Sequence, residues 1–147
     1  MAVLHALNPK SVLEYGPGES TKIFHAHTSI SLIDSIEHST QWAEKVDTEK
    51  LHKVKLYVEP KHYKYPYESG RLGGYDIIFV DGIERPTCIS LARFRLNRSG
   101  VVVVHDAERL EYKQAYELWG MKFFVDGGHT AFLTNDIETS CILEAIL

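Results

Sequence analysis

The sequence predicts an α/β fold: a doubly wound, mostly parallel sheet with helices on both faces and an antiparallel hairpin at its C-terminal edge. Short apolar strands alternate with helical segments, and residues 75–82 and 101–104 are continuous apolar runs typical of strands covered on both faces. A glycine turn follows the first strand and precedes a helix. The chain then carries two short strands around Asp126-Gly127-Gly128, a turn that favours a hairpin.

Length and composition are those of an ordinary globular protein. The 147 residues are enough for one buried core, so we expect a single domain over residues 1–147. The formal net charge of −4 argues against a general nucleic-acid binder. No membrane span or signal-peptide pattern is found, so we expect a cytoplasmic protein with no membrane partner. Cys88 and Cys141 have no metal-binding spacing and are expected to be buried thiols.

Residues 11–21 predict a buried strand, a glycine turn and the first turn of a helix. Gly16 and Gly18 permit backbone angles and close approaches that a Cβ would block. Ser20 and Thr21 can cap the helix that follows. Such a turn places free N–H groups and a positive helix end at the carboxyl end of a strand, where α/β proteins bind nucleotides.

The other elements follow from periodicity and turn signals. Further strands are predicted over residues 30–36, 54–58, 75–82, 101–104, 123–125 and 130–133. Helices are predicted over residues 20–26, 39–46, 86–96 and 108–119. Ser39 suits an N-cap and Pro86 the first turn of a helix. The proline-broken aromatic stretch 61–74, with Tyr63, Tyr65 and Tyr67, is predicted to be a loop that could line or cover a site.

Acidic residues close five successive strands of this predicted sheet. In a parallel sheet the carboxyl ends of the strands line one crevice, so these side chains should gather there. They are Glu14, Glu37, Glu59, Asp81 and Asp106. Carboxylates that cap helix N-termini account for one or two of them. The group as a whole indicates a crevice for a ligand rich in hydroxyls and amines.

Glu37 is the most informative of these residues. An acidic side chain about 20 residues past the glycine turn can accept both ribose hydroxyls of a bound nucleoside. A dinucleotide-binding turn would have a third glycine where Thr21 stands, and Glu19 would meet a pyrophosphate with like charge. The pattern therefore favours a nucleoside without phosphates over NAD.

These motifs resemble those of the class I S-adenosylmethionine-dependent methyltransferases, whose fold is Rossmann-like. Leu13-Glu14-Tyr15-Gly16-Pro17-Gly18 resembles their E-x-G-x-G turn, and Ser35-Ile36-Glu37-His38 resembles their acidic ribose-binding segment. Residues 75–82 and 100–106 resemble their fourth and fifth strands. The resemblance covers nearly the whole chain from Lys10 onward.

The resemblance implies S-adenosyl-L-methionine as the cofactor. Glu14 would hold its amino group, Glu37 its ribose and Glu59 its adenine, and Asp81 would lie near the sulfonium. The implied cofactor-binding residues are Glu14, Gly16, Gly18, Ser20, Thr21, Glu37, His38, Glu59 and Asp81.

Methyl transfer requires alignment of acceptor and methyl group and, for some acceptors, a base. The catalytic candidates are Asp81, His105 and Asp106, with His105 either the base or a supporting residue. Asp81 and Asp106 also resemble two carboxylates that bind Mg²⁺ in catechol-type members of the family. Ala107 stands where a third oxygen ligand is expected, and Glu108 could substitute for it. Whether the site binds a metal is therefore left open.

Residues 102–109 further resemble a segment of glucuronoxylan methyltransferases, which implies a small hydroxylated acceptor such as a sugar. The sequence thus predicts a methyltransferase with a small-molecule substrate. Because little chain precedes the first strand, two alternatives stay open: a non-catalytic nucleoside-binding or assembly module that retains this fold, and an enzyme with another nucleotide. A homo-oligomer that completes the pocket is also left open.

Overall fold

The computed structural model describes residues 2–47, 50–58 and 74–147, which form a sheet flanked by helices. The strands are β1 (Ser11–Tyr15), β2 (Leu32–Glu37), β3 (Val54–Val58), β4 (Tyr75–Val80), β5 (Leu96–His105), β6 (Met121–Val125) and β7 (Thr130–Thr134). The α-helices are α1 (Ala2–Leu7), α2 (Glu19–Ala26), α3 (Thr40–Ala43), α4 (Arg85–Ala92), α5 (Lys113–Tyr116) and α6 (Ile137–Ile146). Short 3₁₀ turns cover Leu110–Tyr112 and Asp126–Gly128.

The strand order is β3-β2-β1-β4-β5-β7-β6. Strands β1 to β5 pair in parallel, and β7 runs antiparallel to both β5 and β6. This arrangement confirms the predicted fold class. The chain order reverses between β1 and β4, and ligands of open α/β sheets bind at the carboxyl ends of strands at such a point.

The sheet is buried on both faces because its central strands alternate apolar side chains up and down. Val12 belongs to a core cluster with residues of α1, α2 and α6, while the adjacent Leu13 belongs to a second cluster with residues of α4 and α5. Each fully buried side chain of this size contributes about 1.5–3 kcal/mol to stability. Two apolar layers therefore fix the strand ends at which the polar residues lie.

The observed elements differ from the predicted ones in four places. The helix predicted over residues 39–46 is reduced to the four residues of α3. Helix α6 was not predicted, although the Asp136 carboxylate caps it by accepting the Thr139 N–H at 2.9 Å. Strand β5 begins at Leu96 because Leu96 pairs with Tyr75 of β4, so the predicted helix over residues 86–96 ends at Ala92. The helix predicted over residues 108–119 is reduced to a 3₁₀ turn and α5. Tertiary pairing overrides local propensity in β5.

Cys88 is buried as predicted, but the predicted burial of Cys141 is wrong. Thr139 and Leu143 are the buried residues of α6, and Cys141 lies between them on the opposite side of the helix. Among the described residues, no helix has the length and apolar character needed to cross a membrane.

Candidate functional site

The turn after β1 approaches the end of β4 closely. Gly16 has a φ of +86°, which residues with a side chain rarely adopt. A Cβ at Gly16 would lie 2.8 Å from the Cα of Gly82. At Gly18 φ is −168° and a Cβ would meet nothing within 4 Å. The fold therefore requires glycine at position 16, while Gly18 leaves open space at the N-terminus of α2.

The buried carboxylate of Glu14 stabilises this turn through hydrogen bonds. Glu14 is fully buried and accepts hydrogen bonds from the hydroxyls of Ser20 (2.5 Å), Thr21 (2.7 Å) and Ser35 (2.8 Å). The Thr21 hydroxyl also accepts the Gly18 N–H at 2.9 Å. Burial raises the pKa of Glu14 to about 7, and these three hydrogen bonds act in the opposite direction. The three hydrogen bonds to Glu14 connect β1, α2 and β2. Contact of Glu14, Ser20 and Thr21 with a cofactor stays a prediction.

A cleft of about 300 Å³ lies at the carboxyl ends of β1, β2 and β4. That volume is at the lower end of the range for ligand pockets. The lining residues are Gly16, Pro17, Glu37, His38, Ser39, Trp42, Asp81 and Gly82. The cleft thus brings together the predicted residues of three strand ends. Glu59 and the aromatic segment 61–73, with its three tyrosines, lie outside the described residues.

Glu37 is nearly buried and is oriented by the backbone. Its Oε1 accepts the N–H groups of His38 and Ser39, both at 2.8 Å, and lies 2.7 Å from Nδ1 of His38. In the part of the chain that the structure describes, Oε2 accepts no hydrogen bond. A carboxylate oxygen has two acceptor positions, so Oε2 can receive the hydroxyls of a ligand diol.

Trp42 borders the same cleft and was missed as a site residue. Its indole N–H donates to the carbonyl of Pro17 at 2.9 Å, which ties α3 to the glycine turn. The side chain is 48% exposed, and Nζ of Lys45 lies 4.3 Å from the ring centroid. An aromatic face beside an acidic residue can stack on a nucleobase. The available signal was an aromatic residue four positions after the segment that resembles a ribose-binding motif.

Three of the predicted residues meet at the ends of β4 and β5. Nδ1 of His105 lies 3.0 Å from Oδ1 of Asp81 and 3.4 Å from Oδ1 of Asp106. Asp106 has a φ of +51°, a left-handed conformation that aspartate tolerates. A carboxylate beside Nδ1 favours the tautomer with its proton there, which leaves Nε2 as an acceptor. This is the tautomer that a general base needs.

Arg85, which the sequence analysis missed, holds this cluster together. Its guanidinium donates to the carbonyl oxygens of Asp81, Gly82 and His105 at 2.7–3.0 Å. It also pairs with the carboxylates of Asp81 (3.1 Å) and Asp106 (3.0 Å). Arg85 follows Asp81 by four residues, but its partners at positions 105 and 106 are distant along the chain, so the local sequence does not mark it as the centre of this cluster.

The charge of Arg85 acts on Asp106. Burial works to raise the pKa of Asp106, but the hydrogen bond and charge of Arg85, with the charges of His105 and Arg109, hold that pKa below its ordinary value. The carboxylate is therefore ionised at neutral pH and remains paired with the guanidinium.

The residues at this position do not fit Mg²⁺. Asp81, His105 and Asp106 have donor atoms within 4.8 Å of one another, but one donor is an imidazole nitrogen and Mg²⁺ prefers oxygen ligands in an octahedron. Arg85 already supplies positive charge to both carboxylates. Glu108, the suggested third ligand, pairs with Nδ1 of His129 at 3.1 Å. The magnesium site implied by the resemblance is therefore not supported.

Comparison of the sequence with family models and with curated proteins found no match. Solved structures do match. A methyltransferase-like protein from Silicibacter pomeroyi superimposes with a TM-score of 0.63 at 18% identity, over 99% of this chain and 92% of that one. An O-methyltransferase from Bacillus cereus, solved in complex with S-adenosylhomocysteine, gives a TM-score of 0.68 at 13% identity, over 90% and 77% of the chains.

A spermidine synthase from Thermotoga maritima has a TM-score of 0.65 at 16% identity, and the match covers 95% of this chain and 59% of the synthase. One fold thus appears in proteins that bear the names of different transferases. The Rossmann-like fold expected from the resemblance is confirmed: the chain has the fold of the class I S-adenosylmethionine-dependent methyltransferases.

Proposed function

We propose that this protein is an S-adenosyl-L-methionine-dependent methyltransferase that acts on a hydroxyl group of a small molecule. The observation that carries the proposal is the burial and hydrogen bonding of the Glu37 carboxylate. It is a nearly buried carboxylate with one oxygen fixed by two backbone N–H groups and the other able to accept a ribose diol. It shares its cleft with the glycine turn and Asp81. The B. cereus neighbour, solved with S-adenosylhomocysteine, supports this assignment.

The charge of the cleft favours this cofactor over a dinucleotide. Its lining includes the carboxylates of Glu37 and Asp81 and contains no lysine or arginine among the described residues. A pyrophosphate would meet like charge here, whereas a sulfonium and an amino group would meet opposite charge. Gly16, Glu37 and Asp81 are the residues that would hold the methionine part, the ribose and the region of the sulfonium.

When bound, S-adenosylmethionine supplies a methyl group: its carbon–sulfur bond breaks as a carbon–oxygen bond forms to the acceptor, which loses its hydroxyl proton. His105 takes that proton at Nε2, because Nδ1 faces the Asp81 carboxylate. The side chain of His105 is half-exposed, so an acceptor can reach it. Arg85 and Asp106 position the Asp81–His105 pair, and the guanidinium of Arg85 partly compensates the charge of Asp81.

The acceptor is a small hydroxylated molecule. The resemblance of residues 102–109 to glucuronoxylan methyltransferases favours a sugar, while an apolar pocket lined by three phenylalanines favours an aromatic hydroxyl. A module that binds the cofactor without turnover is the alternative, and transfer of a labelled methyl group to any acceptor would exclude it.

Calorimetry with S-adenosylmethionine and S-adenosylhomocysteine tests the proposal. Glu37→Ala should weaken binding by about 1.5–3 kcal/mol, the range for hydrogen bonds to a charged group. Glu19→Ala is the matched control, because Glu19 is exposed beside the same turn and pairs with Lys22 at 2.7 Å. Absence of heat with either compound at millimolar concentration would contradict the proposal. An equal loss of affinity in both variants would contradict the role of Glu37 in ribose binding.

A further inference from the structure

An apolar pocket of about 260 Å³ lies between the sheet and helices α1 and α2. Three phenylalanines line it, namely Phe24, Phe79 and Phe132, and Phe24 meets Phe79 edge to face with 5.6 Å between ring centroids. Val3 of α1 forms part of its wall. Ser20 is the one polar side chain among the described lining residues, and its hydroxyl already donates to Glu14.

The strand register places the floor of this pocket beside the catalytic candidates. One row of paired residues across β4, β5 and β7 consists of Phe79, Val103 and Phe132. Side chains two residues apart point to the same face of a strand. The next row on this face therefore contains the paired residues His105 and Thr130. Asp81, one residue past the end of β4, joins this row through its hydrogen bond to His105. At about 3.3 Å per residue, the two rows lie about 7 Å apart.

Asp81 lines the cofactor cleft but not the apolar pocket. Its carboxylate is hydrogen-bonded to His105, which follows Val103 by two residues on β5. The Asp81–His105 pair therefore lies beyond the row of Phe79 and Val103, toward the carboxyl ends of the strands. A molecule seated on Phe79 and Val103 can extend a substituent toward that pair.

We infer that this pocket binds the methyl acceptor and that the acceptor is a single aromatic ring bearing a hydroxyl group, as in a phenol. The inference rests on the proposed function and names its substrate class. The phenolic O–H bond breaks, the proton passes to Nε2 of His105, and the oxygen then takes the methyl group in the displacement given above.

The lining distinguishes a ring from a sugar. An aromatic ring packs favourably against phenylalanine side chains in edge-to-face or offset geometry. A sugar would leave hydroxyls without partners on an apolar surface, and each such loss is costly. The volume suits a small ligand and is too small for a protein element such as a helix about 10 Å wide.

The test uses the full chain and ligand-observed NMR with phenol and methyl glucoside, each with and without S-adenosylhomocysteine. Phenol should give saturation transfer and the glucoside should not. Two variants fill the pocket from different elements, Val103→Phe from the sheet and Val3→Trp from α1. Each should weaken phenol binding at least about tenfold, or 1.4 kcal/mol. Ile142→Trp on α6, outside the pocket lining, is the matched control and should bind phenol as the unmodified chain does.

Binding of the glucoside in preference to phenol would overturn the inference, and so would undiminished phenol binding in both filled variants. If neither variant folds, the comparison of the two ligands on the unmodified chain still decides. A dimer that dissociates in Val3→Trp without loss of phenol binding would assign the pocket to a second copy instead. If the chain binds phenol but not S-adenosylhomocysteine, the proposed function is contradicted and the assignment of the pocket to a phenol still holds.

Discussion

The two carboxylates of the cleft, Glu37 and Asp81, are held in different ways. Glu37 is oriented by the N–H groups of the two residues that follow it, so the β1–β2 side of the site is built locally from backbone. Asp81 is oriented by Arg85, four residues further along the chain, and by the more distant His105, so the β4–β5 side is assembled from side chains. The first side should tolerate side-chain changes better than the second, except where its backbone is constrained.

The largest effect is expected at Gly16, where that constraint is tightest. Gly16→Ala adds a Cβ in the left-handed region and 2.8 Å from the backbone of Gly82. Stability should fall by about 2–5 kcal/mol, from the sum of the conformational penalty and the overpacking. Denaturant unfolding measures it. Gly18→Ala, with open space around its Cβ, is the control and should change stability by less than about 1 kcal/mol. Equal losses in both would refute the backbone account of the turn.

Arg85→Met should have the next largest effect. It leaves two carboxylates without their shared cation, and removal of one partner from a mostly buried pair costs about 2–4 kcal/mol. Arg109→Met is matched to it, because Arg109 pairs with the same Asp106 oxygen at 2.7 Å but is exposed to solvent, so the loss of stability should be much smaller.

Arg85→Met should also change the binding of metal ions. The unmodified chain should bind Mn²⁺ no more tightly than about 1 mM, and chelators should leave methyl transfer unchanged. Arg85→Met should gain a Mn²⁺ site at Asp81 and Asp106, visible by electron paramagnetic resonance. Tight Mn²⁺ binding by the unmodified chain, lost in Asp81→Asn, would contradict the role given to Arg85.

Glu14 should make stability depend on pH. The folded chain holds the Glu14 proton up to pH about 7, whereas the unfolded chain releases it near 4.5. The stability from this difference is present below pH 4.5 and is lost as the pH rises to about 7, to a total of up to about 3 kcal/mol. Glu14→Gln should lack this decline, and Glu19→Gln, an exposed control, should retain it. Unfolding curves across this pH range that coincide for all three proteins would contradict the assignment.

The smallest effect is expected at Trp42. Trp42→Phe removes the hydrogen bond to Pro17 but keeps an aromatic ring at the cleft. Stability should fall by about 1 kcal/mol, and S-adenosylhomocysteine should still bind. Trp42→Ala also removes the ring and should weaken that binding further. If the two variants bind alike in calorimetry, the ring does not contact the cofactor.

The sequence was sufficient for the strands and for the polar residues that follow them. Glycine spacing and apolar runs are local signals, and they located β1, β3 and β4. They also located site residues on both sides, namely Gly16, Glu37, Asp81, His105 and Asp106. The contacts between distant segments were not predicted: Arg85 reaches positions 105 and 106, β5 is extended by its pairing with Tyr75, and Phe79 and Phe132 meet across Val103 in the apolar pocket. Helix α6 could have been predicted from its Asp136 cap.

A crystal structure of the chain with S-adenosylhomocysteine would test the assigned cofactor site. The ribose hydroxyls should contact Oε2 of Glu37, and the sulfur should lie on the Asp81 side of the cleft, facing His105. A ligand bound elsewhere, or one whose ribose makes no contact with Glu37, would contradict this assignment.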